Sequence, residues 1–127
     1  MSIKKFAVIG HPIGHTMSPF IHNRLFQLSG IEAEYIKLDI APENLADEYN
    51  RLLSKLDGYN ITIPHKQNII QLIDEIDDKA KMYGSVNTVA NSDGIAKGYT
   101  TDPDGFLKAL DAAGIILDGR VVILGCG

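Results

Sequence analysis

The segment Asn60-Ile-Thr-Ile-Pro-His-Lys66 limits what this chain can become, because it reads as a buried strand that stops where a helix starts, with a lysine at the junction. Ile61 and Ile63 alternate with Thr62 as on a pleated strand, and Pro64, which has no N–H to donate, ends the ladder. Beyond it Ile69, Leu72, Ile73 and Ile76 recur at spacings of three and four, predicting one buried helix face whose first turn holds Lys66. In open α/β sheets ligands sit at such a junction. The partial positive charge of a helix N-terminus disfavours an ammonium by a few tenths to about 1 kcal/mol, so a lysine there needs open solvent or a function.

Strand and helix patterns alternate along the rest of the chain. Residues 6–9 read as a short buried strand, followed by a loop with Gly10, Pro12 and Gly14 and then Ser18-Pro19, an N-cap and first-position pair. The helix they open runs to about Ser29, with Ile21, Leu25 and Leu28 on its buried side and Gly30 past its end. Residues 35–40 alternate as an edge strand would. Pro42 opens a second helix striped by Leu45, Tyr49, Leu52, Leu53 and Leu56 and stopped at Asp57-Gly58. A third strand spans 59–63, a short helical piece 79–83, and segments 85–90 and 95–99 flank Asn91-Ser92-Asp93-Gly94 as an antiparallel hairpin. Asp102-Pro103 starts a last helix bearing Phe106, Leu107 and Leu110, and Asp118-Gly119 turns into an apolar strand at 121–124. The expected fold is α/β in three layers: a mostly parallel sheet with an antiparallel strand and helices on both faces.

With 127 residues, 45% of them apolar and 22% charged, the chain suits a single core. A net charge of −4 without a Lys/Arg cluster gives no footprint for nucleic acid or an anionic membrane. No apolar run approaches a membrane span, and the run at 6–10 is too short for a leader, so a cytoplasmic protein is expected. The lone Cys126 has no partner for an internal disulfide. His11, His15, His22 and His65 invite a metal reading, but Pro12 and Gly14 keep the first two off a common helix face and no carboxylate completes a set; no metal is expected.

An apolar strand followed by Gly125-Cys-Gly127 is how a dinucleotide-binding βαβ unit begins, which makes Gly125 and Gly127 candidate cofactor-binding glycines. The third glycine, the helix behind it and the ribose selector do not follow. The expected organisation is one domain over 1–120 and, at 121–127, the first strand and Gly-x-Gly of a nucleotide-binding domain from a larger protein.

Four segments together resemble one family. Gly10-His-Pro-Ile-Gly-His-Thr-Met-Ser-Pro-Phe-Ile-His-Asn23, Asn60-Ile-Thr-Ile-Pro-His-Lys66, Gly84-Ser-Val-Asn-Thr-Val89 and Gly98-Tyr-Thr-Thr-Asp-Pro-Asp-Gly-Phe106 resemble the shikimate dehydrogenases, in their order and at their spacings. The resemblance implies an N-terminal substrate-binding domain of an enzyme that reversibly reduces 3-dehydroshikimate to shikimate with NADP(H), inactive without its nucleotide-binding half. It also implies that Lys66 and Asp102 form the proton-transfer pair, that Thr62 and Asn87 hydrogen-bond ring hydroxyls, and that Thr16 and Ser18 hold the substrate carboxylate.

Structural readings stand beside these roles. Ser18 before Pro19 and Asp102 before Pro103 also suit N-caps, Asn87 a strand end, and Thr62 a strand interior. Pro103 stands where a glycine is more usual after the family aspartate, which favours the cap reading of Asp102, and three further positions depart from the family pattern. Thr16 stands where serine is commoner, which bears on shikimate against the bulkier quinate; Thr100 replaces an asparagine usual before Thr-Asp; Ser85 replaces alanine. The rival functions are a quinate/shikimate dehydrogenase and a non-catalytic binder of cyclic hydroxy-acids, though a binder needs no proton-transfer pair. Oligomeric state and NAD against NADP preference are not encoded in these residues.

Overall fold

The computed structural model describes residues 2–125. In chain order its elements are β1 (Lys4–Gly10), α1 (Ser18–Ser29), β2 (Ala33–Asp39), α2 (Leu45–Arg51), β3 (Gly58–Ile61), β4 (Glu75–Ile76), α3 (Asp78–Tyr83), β5 (Thr88–Ser92), β6 (Ile95–Tyr99) and α4 (Asp102–Ala112). Short 3-10 turns occur at Pro42–Asn44, Leu53–Lys55 and Asn68–Gln71. The strands form one sheet in the order β2-β1-β3-β5-β6-β4. β1 pairs parallel with β2 and β3, and β4 with β6, whereas β5 runs against both its neighbours. A mostly parallel sheet with one antiparallel strand is the architecture expected from the sequence.

Burial explains the apolar run of β1. Ala7 and Ile9 face the main core with Tyr59, Ile61, Val89 and Ala96, closed over by Leu45, Leu53, Leu56, Ile69, Ala80 and Val86. Val8 faces the other side, with Ile13, Tyr35, Phe6 and Phe26. α1 lies over this second face, so both faces carry helix, but not through the residues expected. Ile21, Leu25 and Leu28 are 49%, 51% and 67% exposed. The contact runs instead through Phe26, through His22, whose ring stacks on Tyr35 at 4.3 Å, and through Asn23. The Asn23 amide accepts from the Tyr35 N–H (2.9 Å) and donates to its carbonyl (2.8 Å), satisfying the outer edge of β2.

Three other expectations are corrected. The helix after Lys66 is only the 3-10 turn Asn68–Gln71, and Ile76 belongs to β4. The apolar spacing arose because Ile69, Leu72, Ile73 and Ile76 all pack on the main core. After Leu72 the chain is drawn to β6, where the Asp74 carboxylate accepts from the Ala96 N–H at 2.7 Å and the Asp74 N–H donates to the Ala96 carbonyl at 3.0 Å. Lys66 therefore sits in a turn rather than in the first turn of a helix of its own. The third strand closes at Ile61 rather than at residue 63, although the Thr62 N–H still reaches the Ile9 carbonyl (2.9 Å) and the Ile63 carbonyl accepts from the His11 N–H (3.0 Å). Residues 121–124 form no strand, and the sheet of the described residues ends at β2 and β4. Gly125 lies at φ 79°, and Gly127 and Cys126 fall outside the described residues.

The hairpin is tighter than its composition suggested. Only Asp93 (φ 53°) and Gly94 (φ 78°) connect β5 and β6, both left-handed as a two-residue turn of matching twist requires. Among the described residues no helix is long and apolar enough to cross a membrane.

Candidate active site

The carboxyl ends of β1, β3 and β6 and the amino end of β5 share one edge of the sheet, as their pairing dictates. Loops at this edge carry Thr16 and Ser18 after β1, Thr62 and Lys66 after β3, Asn87 before β5, and Asp102 after β6. Parallel α/β topology thus gathers chemistry from segments far apart in sequence.

Lys66 Nζ lies 2.5 Å from Asp102 Oδ2, with the lysine about one-third and the aspartate about half exposed. The turn that carries Lys66 is latched by its carbonyl, which accepts from the Val86 N–H at 2.9 Å, one residue before Asn87. Asn87 is itself pinned on both sides: its N–H donates to Tyr99 (3.0 Å) and its carbonyl accepts from Ile61 (2.8 Å). Its side-chain amide donates to Thr101 Oγ1 (2.7 Å) and to Asp102 Oδ1 (3.1 Å). Both carboxylate oxygens of Asp102 are thereby engaged, one by a cation and one by an amide.

This geometry separates the structural from the chemical readings. Asp102 is the first residue of α4 and makes no cap hydrogen bond; its carboxylate faces Lys66 and Asn87 instead. Asp77 shows the contrast, capping α3 by accepting from the Ala80 N–H at 2.8 Å. Ser18 is likewise not an N-cap. Its N–H donates to Thr16 Oγ1 (3.2 Å) and its hydroxyl accepts from the same oxygen (3.1 Å), leaving the Ser18 O–H at the start of α1. The Thr62 hydroxyl has no hydrogen-bond partner among the described residues, while its methyl abuts Gly10.

That abutment yields a prediction. A Cβ at Gly10 would lie 2.6 Å from Thr62 Cγ2, 2.8 Å from Ile13 Cδ1 and 3.1 Å from the Ile63 carbonyl. Gly10→Ala is expected to displace Thr62 and cost about 1–3 kcal/mol by overpacking, read as a lowered urea midpoint.

The loop bearing Thr16 is tied to β2 by hydrogen bonds to Asp39. His11 Nδ1 lies 2.6 Å from Asp39 Oδ1, and Asp39 Oδ2 accepts from the Ile13 N–H at 3.4 Å. The hydrogen bond from the His11 ring, aided by the Ile13 N–H, holds the Asp39 carboxyl below its ordinary value despite partial desolvation. A depressed folded-state pKa means that this contribution is present above the unfolded value of about 3.9 and is lost as pH falls through the folded value. Thermal melts should therefore show parent and Asp39→Asn converging in Tm as pH drops from about 5 to about 2.

Thr100, between β6 and α4, is 4% exposed, and its hydroxyl has no partner among the described residues. The shell of Asp102 comes from Lys66 and Asn87, so the asparagine-to-threonine departure at this position does not strip it. Thr100→Val should raise stability by up to about 1 kcal/mol, because it removes an unpaired buried hydroxyl at nearly constant volume; calorimetric Tm checks it. His65 is fully buried and its Nε2–H donates to the Ile40 carbonyl at 2.6 Å, tying the Lys66 turn to the end of β2. Sequence reasoning missed Asn60, Thr88 and Thr101. Their polar side chains carry no periodic signal, and their part emerges only from the network around Asn87.

A cation–carboxylate pair held by an amide, a threonine hydroxyl without a partner among the described residues and a hydroxyl pair at a helix start thus lie at one edge of the sheet of an α/β domain. Residues 8–89 match the family model described as the shikimate dehydrogenase substrate binding domain. The shikimate dehydrogenase (NADP(+)) of Oceanobacillus iheyensis is 45% identical over 94% of this chain and 46% of its own length. That of Methanococcus maripaludis is 41% identical over 98% of the chain and 45% of its own length. Among solved structures, shikimate 5-dehydrogenase from Thermus thermophilus in complex with shikimate superposes with a TM-score of 0.84 at 36% identity, over 92% of this chain and 45% of that one. Shikimate dehydrogenase from Thermotoga maritima gives 0.85 at 36% identity, over 97% and 46%. The chain belongs to the shikimate dehydrogenase family. It spans about half the length of the curated relatives it matches.

Proposed function

We propose that this chain is the substrate-binding and acid–base half of an NADP-dependent shikimate dehydrogenase, the enzyme that reversibly reduces 3-dehydroshikimate to shikimate. The observation that carries this reading is the 2.5 Å contact between Lys66 Nζ and Asp102 Oδ2 at the sheet edge where ligands of α/β folds bind. In the reducing direction the Lys66 ammonium donates a proton to the ring oxygen as charge develops there, and Asp102 orients the ammonium and balances its charge. Thr62 offers its hydroxyl to the ring, Asn87 its amide, and Thr16 and Ser18 hold the carboxylate at the start of α1. An amide N–H of Asn87 reaches a ring hydroxyl by exchanging its contact to Thr101 or Asp102.

NADP(H) supplies the hydride. Of its binding site these residues carry only Gly125 and Gly127, which cannot by themselves hold a dinucleotide. On this reading residues 1–120 form the substrate domain, 121–127 begin the nucleotide domain, the setting is cytoplasmic, and the isolated chain binds without turning over.

The test is a graft in which these residues replace the matching segment of the Oceanobacillus iheyensis enzyme. Oxidation of NADPH dependent on 3-dehydroshikimate is the expected result; a folded graft without it would remove the proposal. Running the same graft in reverse with shikimate and with quinate reads the selectivity at Thr16.

A further inference from the structure

The amide of Asn87 has to point its N–H groups at Asp102, and the structure shows what makes it do so. The Thr101 N–H can only donate, and it meets Asn87 Oδ1 at 3.1 Å, which leaves Nδ2 facing Asp102. A second bond reaches Asn87 Oδ1 from the Thr88 hydroxyl at 3.0 Å. That hydroxyl accepts in turn from Asn60 Nδ2 at 3.0 Å, and the same Nδ2 donates to the Asn87 carbonyl at 3.3 Å. Because a carbonyl only accepts, the Asn60 amide is fixed too, and its Oδ1 must take the Tyr35 O–H, 2.6 Å away. Burial pushes the Tyr35 phenol up, so it remains a donor at any working pH. Backbone groups fix both amides, the Thr101 N–H that of Asn87 and the Asn87 carbonyl that of Asn60, and the hydroxyl hydrogens of Tyr35 and Thr88 follow from them.

We infer that Tyr35, Asn60 and Thr88 are positioning residues: a one-way hydrogen-bond relay from the α1 face of the sheet that, together with the Thr101 N–H, holds the Asn87 amide and, through it, the Asp102 carboxylate. The relay runs along side chains of β2, β3 and β5 that share one face of the sheet, as their register requires. It crosses β1 because Tyr35 is long enough to reach over Phe6 and Val8 to Asn60. Its bearing on catalysis rests on the function proposed above; the relay itself does not.

The deciding comparison uses Thr88→Val and Thr88→Ser in the isotope-labelled 127-residue chain, with Tyr35→Phe beside them. Valine keeps the shape of the threonine but removes the hydroxyl link, while serine restores it. The expected result is that the Asn87 side-chain NH2 resonances move in Thr88→Val and Tyr35→Phe and return to parental positions in Thr88→Ser, with backbone amides of the main core unchanged. Shikimate binding should weaken about three- to tenfold in the first two and recover in Thr88→Ser, the loss of one net hydrogen bond in orienting a site. An Asn87 NH2 pair that stays in place in Thr88→Val, or that moves equally in Thr88→Ser, overturns the relay. If Tyr35→Phe fails to fold, the Thr88 pair still decides. Should no variant, the parent included, bind shikimate, the functional reading fails while the Asn87 resonances still judge the relay.

Discussion

Lys66→Met in the grafted enzyme is expected to lower kcat by about 10²–10⁴, the usual contribution of a positioned acid–base group. Methionine retains the length and apolar stem of the lysine, so the turn should hold, anchored as it is by the Lys66 carbonyl on Val86 and by His65 on Ile40. KM should change less than kcat, because Nζ is asked to act mainly as charge develops on the ring oxygen. The pH profile is an independent check, since the limb belonging to the proton donor should disappear together with the rate. A variant that kept most of its kcat would leave Lys66 as a substrate contact and move the proton transfer elsewhere. Steady-state kinetics with 3-dehydroshikimate across pH separates these outcomes.

The second large effect concerns stability. Leu53→Ala should cost about 2–5 kcal/mol, a large share of the roughly 5–15 kcal/mol that holds a domain of this size together. Leu53 is fully buried in the main core, in the 3-10 turn after α2. Its surroundings cannot easily collapse, because the Asn91 amide donates to the carbonyls of both Leu53 (2.9 Å) and Leu56 (2.7 Å) and holds that turn against β5. Urea denaturation should show a lower midpoint at unchanged slope. A loss below about 1 kcal/mol would mean that the turn moves inward to fill the space.

What the sequence revealed, and what it hid, follows from how each feature is encoded. Leu45, Leu53 and Leu56 were legible as a buried set because hydrophobic burial leaves periodicity behind, even though the helix they suggested is broken into α2 and two 3-10 turns. The same signal misled at Ile69, Leu72, Ile73 and Ile76, where a 3-10 turn and a strand both dip into one core and imitate a helix. α1 was placed correctly by Pro19 and Gly30, yet its buried side was misassigned. Asn23 and His22 cover β2 through hydrogen bonds and ring stacking, which hydropathy does not register. Residues 121–124 read as a strand, and a strand is a property of its neighbours as much as of its own residues. Lys66 and Asp102 were named from motif resemblance, and the fold brings them into contact across 36 positions of sequence. The relay behind them was invisible, because Tyr35, Asn60 and Thr88 acquire their meaning only from strand register.

α4 shows how the site and the fold share their supports. Phe106 and Leu107 are exposed, and the first turn of α4 is held by two ion pairs, Lys66 to Asp102 and Lys79 to Asp104, each at 2.5 Å. The hydrogen bond to Asp104 raises the Lys79 pKa above its ordinary value. Exposed pairs of this kind contribute little singly. Their value is geometric, since they fix where Asp102 begins its helix.

The most direct measurement is a titration of shikimate into the isotope-labelled 127-residue chain, followed by backbone and side-chain amide shifts. The account requires saturable shifts at residues 16–18, 62–66 and 101–102 and at Asn87, with little change elsewhere. A folded chain that showed no shifts at millimolar shikimate, or shifts confined to the groove lined by Phe6, Phe26 and Ala90, would contradict a preformed substrate site at this edge of the sheet.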